Sequence, residues 1–159
     1  MIKSTEAMLA VLEEAFSPTS FVMKDTLNGR LEGRAAECSL EEMSSVIEYP
    51  TLEWELNQAG QVQGGILCSM FDVAAGSLTA TINELHFNPT VSMNVRFMRP
   101  AVHEDIIVVR SKIDHNGRTL VHISSGAYSR KSGKLLATAQ LTFFNADNTD
   151  ITEKAESKK

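Results

Sequence analysis

The feature that most constrains this chain is the run from Ile66 to Ala80. It is apolar or small at almost every position and has no proline, so the pattern predicts a helix that is apolar nearly all round. Such a helix has to sit inside something. At that length it is too short for a membrane span, and it carries Asp72 at its middle. Asp72 is the only charged residue between Gln63 and Ile82. A buried carboxylate must be hydrogen-bonded, or its pKa rises until it is neutral. On a helix its neighbours at spacings of three, four and seven are Gly65, Cys68, Ser69 and Gly76, a stripe of small residues that another surface can approach closely. The residues alone leave two placements open: an interior functional carboxylate, or an ordinary one at a solvated rim.

What surrounds the helix can be read from periodicity. Ser4–Phe16 predicts an amphipathic helix with Met8, Leu9, Leu12, Ala15 and Phe16 on one face, ended by Ser17-Pro18. Ser20–Gly29 has no clear pattern. Arg30–Leu40 predicts a strand interrupted by Gly33. Thr51–Leu56 alternates, with Leu52, Trp54 and Leu56 on one side and Thr51, Glu53 and Glu55 on the other, which predicts a half-buried strand. Asn57–Gly65 reads as a loop feeding the apolar helix.

Beyond the helix the period changes from 3.6 to 2. Val91, Met93, Val95 and Phe97 alternate with Ser92, Asn94 and Arg96, up to Pro100. Asp105–Ile113, the Asn116-Gly117 hairpin signal, Thr119–Tyr128, a turn at Lys131-Ser132-Gly133 and Leu135–Phe144 complete a meander. Strands of about nine to eleven residues exceed the usual mean of about 5–6. Long antiparallel strands curve, and the apolar helix is the segment large enough to fill the concave side. The expected fold class is α+β: a curved antiparallel β-sheet wrapped around a long central apolar helix. The expected organisation is an N-terminal helix over 1–20, one sheet-and-helix domain over 21–146, and a polar, disordered tail over 147–159.

Composition excludes some function classes. At 43% hydrophobic and 22% charged, the chain has the make-up of an ordinary globular domain. A net charge of −5 argues against a protein that coats nucleic acid. The start Met1-Ile2-Lys3-Ser4 is unlike a signal peptide and there are only two cysteines, so a reducing, cytoplasmic setting without a membrane is expected. No Gly-x-Ser-x-Gly, Gly-x-Gly-x-x-Gly or P-loop is present. The four histidines lack zinc-type spacing, so no metal is expected. Cys68 reads as a small core residue before it reads as a nucleophile.

Gly64-Gly65 opens the apolar helix, where backbone N–H groups are unsatisfied and carry partial positive charge. A glycine pair there fits an oxyanion hole or a tight turn. Gly65 and Asp72 lie about 10 Å apart along a helix, so one helix does not easily place both on one carbonyl. A site that uses both needs a second copy of the chain, at a two-fold interface.

The string Asn57-Gln58-Ala59-Gly60-Gln61-Val62-Gln63-Gly64-Gly65, followed by Asp72, resembles the signature of hotdog-fold acyl-CoA thioesterases, in their phenylacetate-degradation (PaaI-like) branch. Val91–Ala101, Asn116-Gly117-Arg118 and Leu135–Phe144 fit the same pattern, so the resemblance covers roughly residues 30 to 145. It implies a thioester hydrolase that cleaves acyl-CoA to acid and CoA, without cofactor. Its site would be shared across a homodimer that often pairs into a tetramer. It casts Asp72 as general base or nucleophile, Gly65 or Gly64 as the N–H that polarises the carbonyl, Asn57 as a positioning group and Thr90 as the partner of Asp72. Gln63, Gly64 and Ser69 become candidate substrate contacts. Arg118 and Lys131 are candidates for CoA phosphates, and Met70, Met93 and Met98 for an acyl pocket. Gln63 stands where the family has His; an amide can brace a loop but cannot gain a proton near neutral pH. The alternative is therefore a non-catalytic acyl-CoA or fatty-acid-binding hotdog protein. A hotdog dehydratase, which would need His86 or His103 at the site, ranks last.

Overall fold

The computed structural model describes residues 2–20, 22–84 and 87–145; the expected tail over 147–159 and His86 lie outside them. The apolar run forms α3, Gly64–Asn83, a helix of 20 residues. Gln63 caps its start, and Glu84, in the left-handed region, closes its end with an N–H bond to the Ala80 carbonyl. On length and composition alone α3 could cross a bilayer, so shortness does not exclude a span. Its burial accounts for its hydropathy instead: Leu67, Met70, Phe71, Val73, Ala74, Ala75 and Leu78 are all inside the fold.

The sheet that buries them has six antiparallel strands: β1 (Arg34–Ser39), β2 (Ser44–Pro50), β3 (Thr90–Phe97), β4 (Ile106–Asn116), β5 (Leu120–Ser129) and β6 (Leu135–Phe144). Their spatial order is β1-β2-β4-β5-β6-β3. Period-2 alternation turns Ile107, Val109, Ile113, Val121, Ile123, Ala127, Ala137, Ala139, Leu141 and Phe143 into the core. The Tyr49 hydroxyl, fully buried, donates to the Met70 carbonyl at 3.3 Å and ties β2 to the helix. α1 (Thr5–Ala15), capped by Ser4, packs on β1 and α3 and sends Met8 and Leu12 into that same core.

Two further sequence expectations change. Thr51–Leu56 is not a strand. The strand is β2, just before it, and Glu53–Glu55 form a 3₁₀ turn. The faces are also reversed: Trp54 points outward beneath the Arg30 guanidinium, 4.5 Å from its ring centre, and Glu55 is buried. A carboxylate that accepts the N–H of Leu52 at 3.0 Å makes the tight turn, and that local bond wins over the alternation. Arg30–Leu40 likewise begins as a helical turn, α2 (Leu27–Arg30), capped by Thr26, and becomes a strand only at Arg34.

The two sheet edges differ. Both carry a bulge, β1 between Ala35 and Glu37 and β3 between Thr90 and Ser92, but β1 is shorter and half-buried at most of its residues. On β3 every residue but Val95 is exposed, including Val91, Met93 and Phe97.

Candidate active site

Asp72 sits half-buried at the middle of α3, and the hydroxyl of Thr90 donates to its Oδ1 at 2.6 Å. Thr90 opens β3 and is positioned by the residues before it. Asn88 donates from Nδ2 to the Gly76 carbonyl at 2.9 Å, and the Pro89 carbonyl accepts the Phe144 N–H at 2.9 Å. Oδ2 of Asp72 has no hydrogen-bond partner among the described residues. Burial, and secondarily the charge of Asp72, push the Tyr49 phenol well above its ordinary pKa. Asp72 and Thr90 also line an apolar trough of about 1250 Å³.

The start of α3 is a second, donor-rich locus. Gln63 accepts the Gly65 N–H on its side-chain Oε1 at 3.1 Å. Its own N–H donates to the Glu55 carbonyl at 2.8 Å. The Gly64 N–H has no acceptor among the described residues. A Cβ at Gly64 would stand 3.3 Å from the Phe97 ring, so the helix start lies close beside the end of β3. Asn57 braces the loop that leads here: its Oδ1 accepts the N–H groups of Ala59 (2.9 Å) and Gln61 (3.2 Å). The loop closes because Gly60 takes φ +72°, a conformation that glycine adopts without strain. Ser69 donates back to the Gly65 carbonyl at 3.0 Å. Beneath the loop, Glu55 is 1% exposed and one of its carboxyl oxygens has no partner. Burial first, and the charge of Glu32 also, push its pKa up to about 7 against the bond from Leu52.

The structure thus brings Asp72 and Thr90 together. Gln63, Gly64, Gly65 and Ser69 gather at the helix start, with the Asn57 loop before them. Gly64 and Asp72 are eight residues apart, about 12 Å along the helix. Arg118 and Lys131 are not brought together. They flank the two ends of β5, 10 residues long, and so lie roughly 30 Å apart. The Lys131 N–H holds Asp105 at 3.1 Å. Burial alone would raise the Asp105 pKa, but the Ser129 hydroxyl, two backbone N–H groups and the Lys131 charge take it below its ordinary value. Met70 is in the core, Met93 and Met98 lie on the exposed β3 edge, and none of the three lines the trough. Burial pushes the Cys68 thiol up, which disfavours a thiolate nucleophile. Sequence reasoning missed Glu55, Asn88 and the trough wall from Val11, Ala15 and Val22. Asn88-Pro89 immediately before a strand was the one local signal for that corner.

A long helix enclosed by a curved antiparallel sheet, with a hydroxyl-held Asp at its middle and glycine N–H groups at its start, is the hotdog thioesterase fold. Residues 59–148 match the Thioesterase superfamily, and the chain belongs to it; its class is thioester hydrolase. It is similar to a phenylacetic acid degradation-related protein of Ralstonia eutropha JMP134: 31% identity, 76% of this chain and 90% of that one covered, TM-score 0.68. Thioesterase superfamily member 2 of Mus musculus shares the fold at 21% identity, covering 91% of this chain and 98% of that one, TM-score 0.70. So does a thioesterase protein of Streptococcus pneumoniae TIGR4 solved with coenzyme A: 19% identity, 64% and 79% covered, TM-score 0.60.

Proposed function

We propose that the protein hydrolyses acyl-CoA thioesters at a site that two copies of the chain complete. One observation carries the reading: Asp72, through Thr90, and the free Gly64 N–H, through Phe97, lie at opposite ends of the same exposed strand. Thr90, which holds Asp72, begins β3, and Phe97, whose ring faces Gly64, ends it. When an edge strand pairs antiparallel with its own two-fold copy, the strand direction reverses. The Thr90 end of one protomer then lies beside the Phe97 end of the other, and Asp72 meets the partner's Gly64. The apolar side chains Val91, Met93 and Phe97 become buried in the same step.

At this site the partner's Gly64 N–H, free of any internal acceptor and at a helix N-terminus, polarises the thioester carbonyl. Asp72 takes a proton on Oδ2 from a water while Thr90 fixes Oδ1. The water oxygen bonds to the carbonyl carbon, and the C=O pair moves onto oxygen, held by the N–H. Collapse breaks the C–S bond. The proton on Asp72 passes to the departing sulfur, leaving carboxylic acid and CoA thiol. Gln63 is competent as a brace here, because capping the Gly65 N–H requires only an acceptor oxygen. The similarity to a structure solved with coenzyme A supports CoA as the carrier.

Thiol release from a panel of acyl- and aryl-CoA thioesters tests the reading. Asp72→Asn should lower kcat about a thousandfold with an unchanged melting temperature, the scale of a lost general base. Wild-type turnover by that variant overturns it. Ligand binding with no thiol release at any chain length would instead establish the non-catalytic alternative.

A further inference from the structure

The trough that begins at Asp72 and Thr90 is more than the reaction requires. Its floor is the α3 face carrying Val73, Gly76 and Ala80. Phe87, Pro89 and Phe143 form one wall; Val11 and Ala15 of α1 with Val22 form the other, and the polar residues Lys24, Asp25, Thr26 and Asn28 rim it. Val11 and Val22 are 41% and 45% exposed. Large apolar side chains left facing water around one concavity mark a surface that something apolar covers. The trough runs directly into the Asp72–Thr90 pair, so a ligand whose reacting end is held there has its remainder in the trough. We propose that its occupant is the acyl tail of the thioester, and that this tail is a straight alkyl chain of medium length, with Gly76 and Ala80 setting the permitted length. This inference rests on the thioesterase reading above.

The length follows from the floor. Asp72 to Ala80 spans about 12 Å of helix, and an extended chain advances roughly 1.3 Å per carbon, so about eight to ten carbons lie along it. An aryl group would cover only the first turn and leave Ala80, Ala15 and Val22 in water. The floor is smooth because its residues are small. A Cβ at Gly76 would meet the Phe143 ring at 3.4 Å and Asn88 at 3.8 Å, ordinary contacts. A methyl fits there, whereas a longer side chain projects into the space the tail needs. Ala80 stands one turn further on, so enlarging it should act on longer tails only.

The test is kcat/KM for butyryl-, hexanoyl-, octanoyl-, decanoyl- and phenylacetyl-CoA, with sodium decanoate protection measured by thermal shift. In wild type, kcat/KM should climb with length, by up to about fourfold per methylene, and reach its maximum near decanoyl-CoA. Ala80→Leu should lower the decanoyl-to-butyryl ratio at least tenfold and the hexanoyl-to-butyryl ratio little. Gly76→Leu should lower both. Decanoate should raise the melting temperature of wild type and not that of Gly76→Leu. Hydrolysis with no dependence on length, a tenfold preference for phenylacetyl-CoA over decanoyl-CoA, or length profiles in both variants parallel to wild type would overturn the proposal and leave the thioesterase reading standing. Decanoate protection that Gly76→Leu abolishes, without thiol release from any substrate, would support the trough and overturn the thioesterase reading.

Discussion

In the proposed site the two ends of β3 hold opposite halves of the chemistry, and they are built by opposite means. At the Thr90 end the working group is a side chain, the Asp72 carboxylate, held by one hydroxyl at 2.6 Å. At the Phe97 end it is backbone, the Gly64 N–H at the start of α3, and the side chains around it hold that backbone. Gln63 caps Gly65, Asn57 closes the loop, and Glu55 lies beneath with its carbonyl on the Gln63 N–H. An acceptor needs one residue of the right kind. A donor taken from the main chain needs a scaffold, because its position is set only by the conformation of its neighbours. Substitutions should therefore act sharply at the first end and diffusely at the second, and both ends should fail together if the strand between them cannot pair.

Among substitutions that leave Asp72 in place, the largest effect should come from that last case. Met93 sits at the middle of β3, 38% exposed, where a two-fold axis would set it against its own copy. Met93→Lys puts like charges there, so the protein should elute as a monomer and kcat/KM should fall at least a hundredfold. Glu37→Lys on the other edge, β1, disturbs only an exposed contact to Arg110 at 4.0 Å and should change neither mass nor activity. A Met93→Lys monomer of full activity would break the link between the two ends. Next comes Thr90→Ala. Losing a hydrogen bond to a charged group is worth about 1.5–3 kcal/mol, so kcat should drop roughly ten- to hundredfold. At the donor end Asn57→Ala should cost about tenfold, shared between kcat and KM, because the loop loosens without losing a reacting group.

How far the sequence reveals this plan differs at the two ends. Asp72 is conspicuous because it is a lone charge on an apolar helix, and the glycine pair is conspicuous because it precedes that helix. The long alternating strands make the sheet readable, and with the helix they yield the architecture. Glu55 is hidden for a physical reason. Alternation assigns it to the solvent side of a strand, and only a 3₁₀ turn closed by its own carboxylate reverses that. The trough is hidden too, since Val11 and Val22 face Gly76 and Ala80 across it only because distant segments pack together, which no local period encodes. Asn88 is short-range chemistry in the service of a long-range contact, its amide reaching back to the Gly76 carbonyl.

The smallest and most diagnostic effect should lie at Glu55. Its folded pKa is raised from the ordinary carboxylate value to about 7. The folded state therefore holds a proton that the unfolded chain releases near pH 4.5. Stability is fully present below that point and is lost as pH rises through about 7, where the carboxylate ionises beneath the donor loop. The loss should be on the order of 3 kcal/mol at most. Glu55→Gln keeps an acceptor for the Leu52 N–H and cannot ionise, so its melting temperature should stay level from pH 5 to 8 while that of wild type declines. Because Glu55 holds the Gln63 N–H through its own carbonyl, the same ionisation should raise KM above pH 7 in wild type and not in the variant. A decline in Glu55→Gln as steep as in wild type would place the pH dependence elsewhere and remove Glu55 from the support of the helix start.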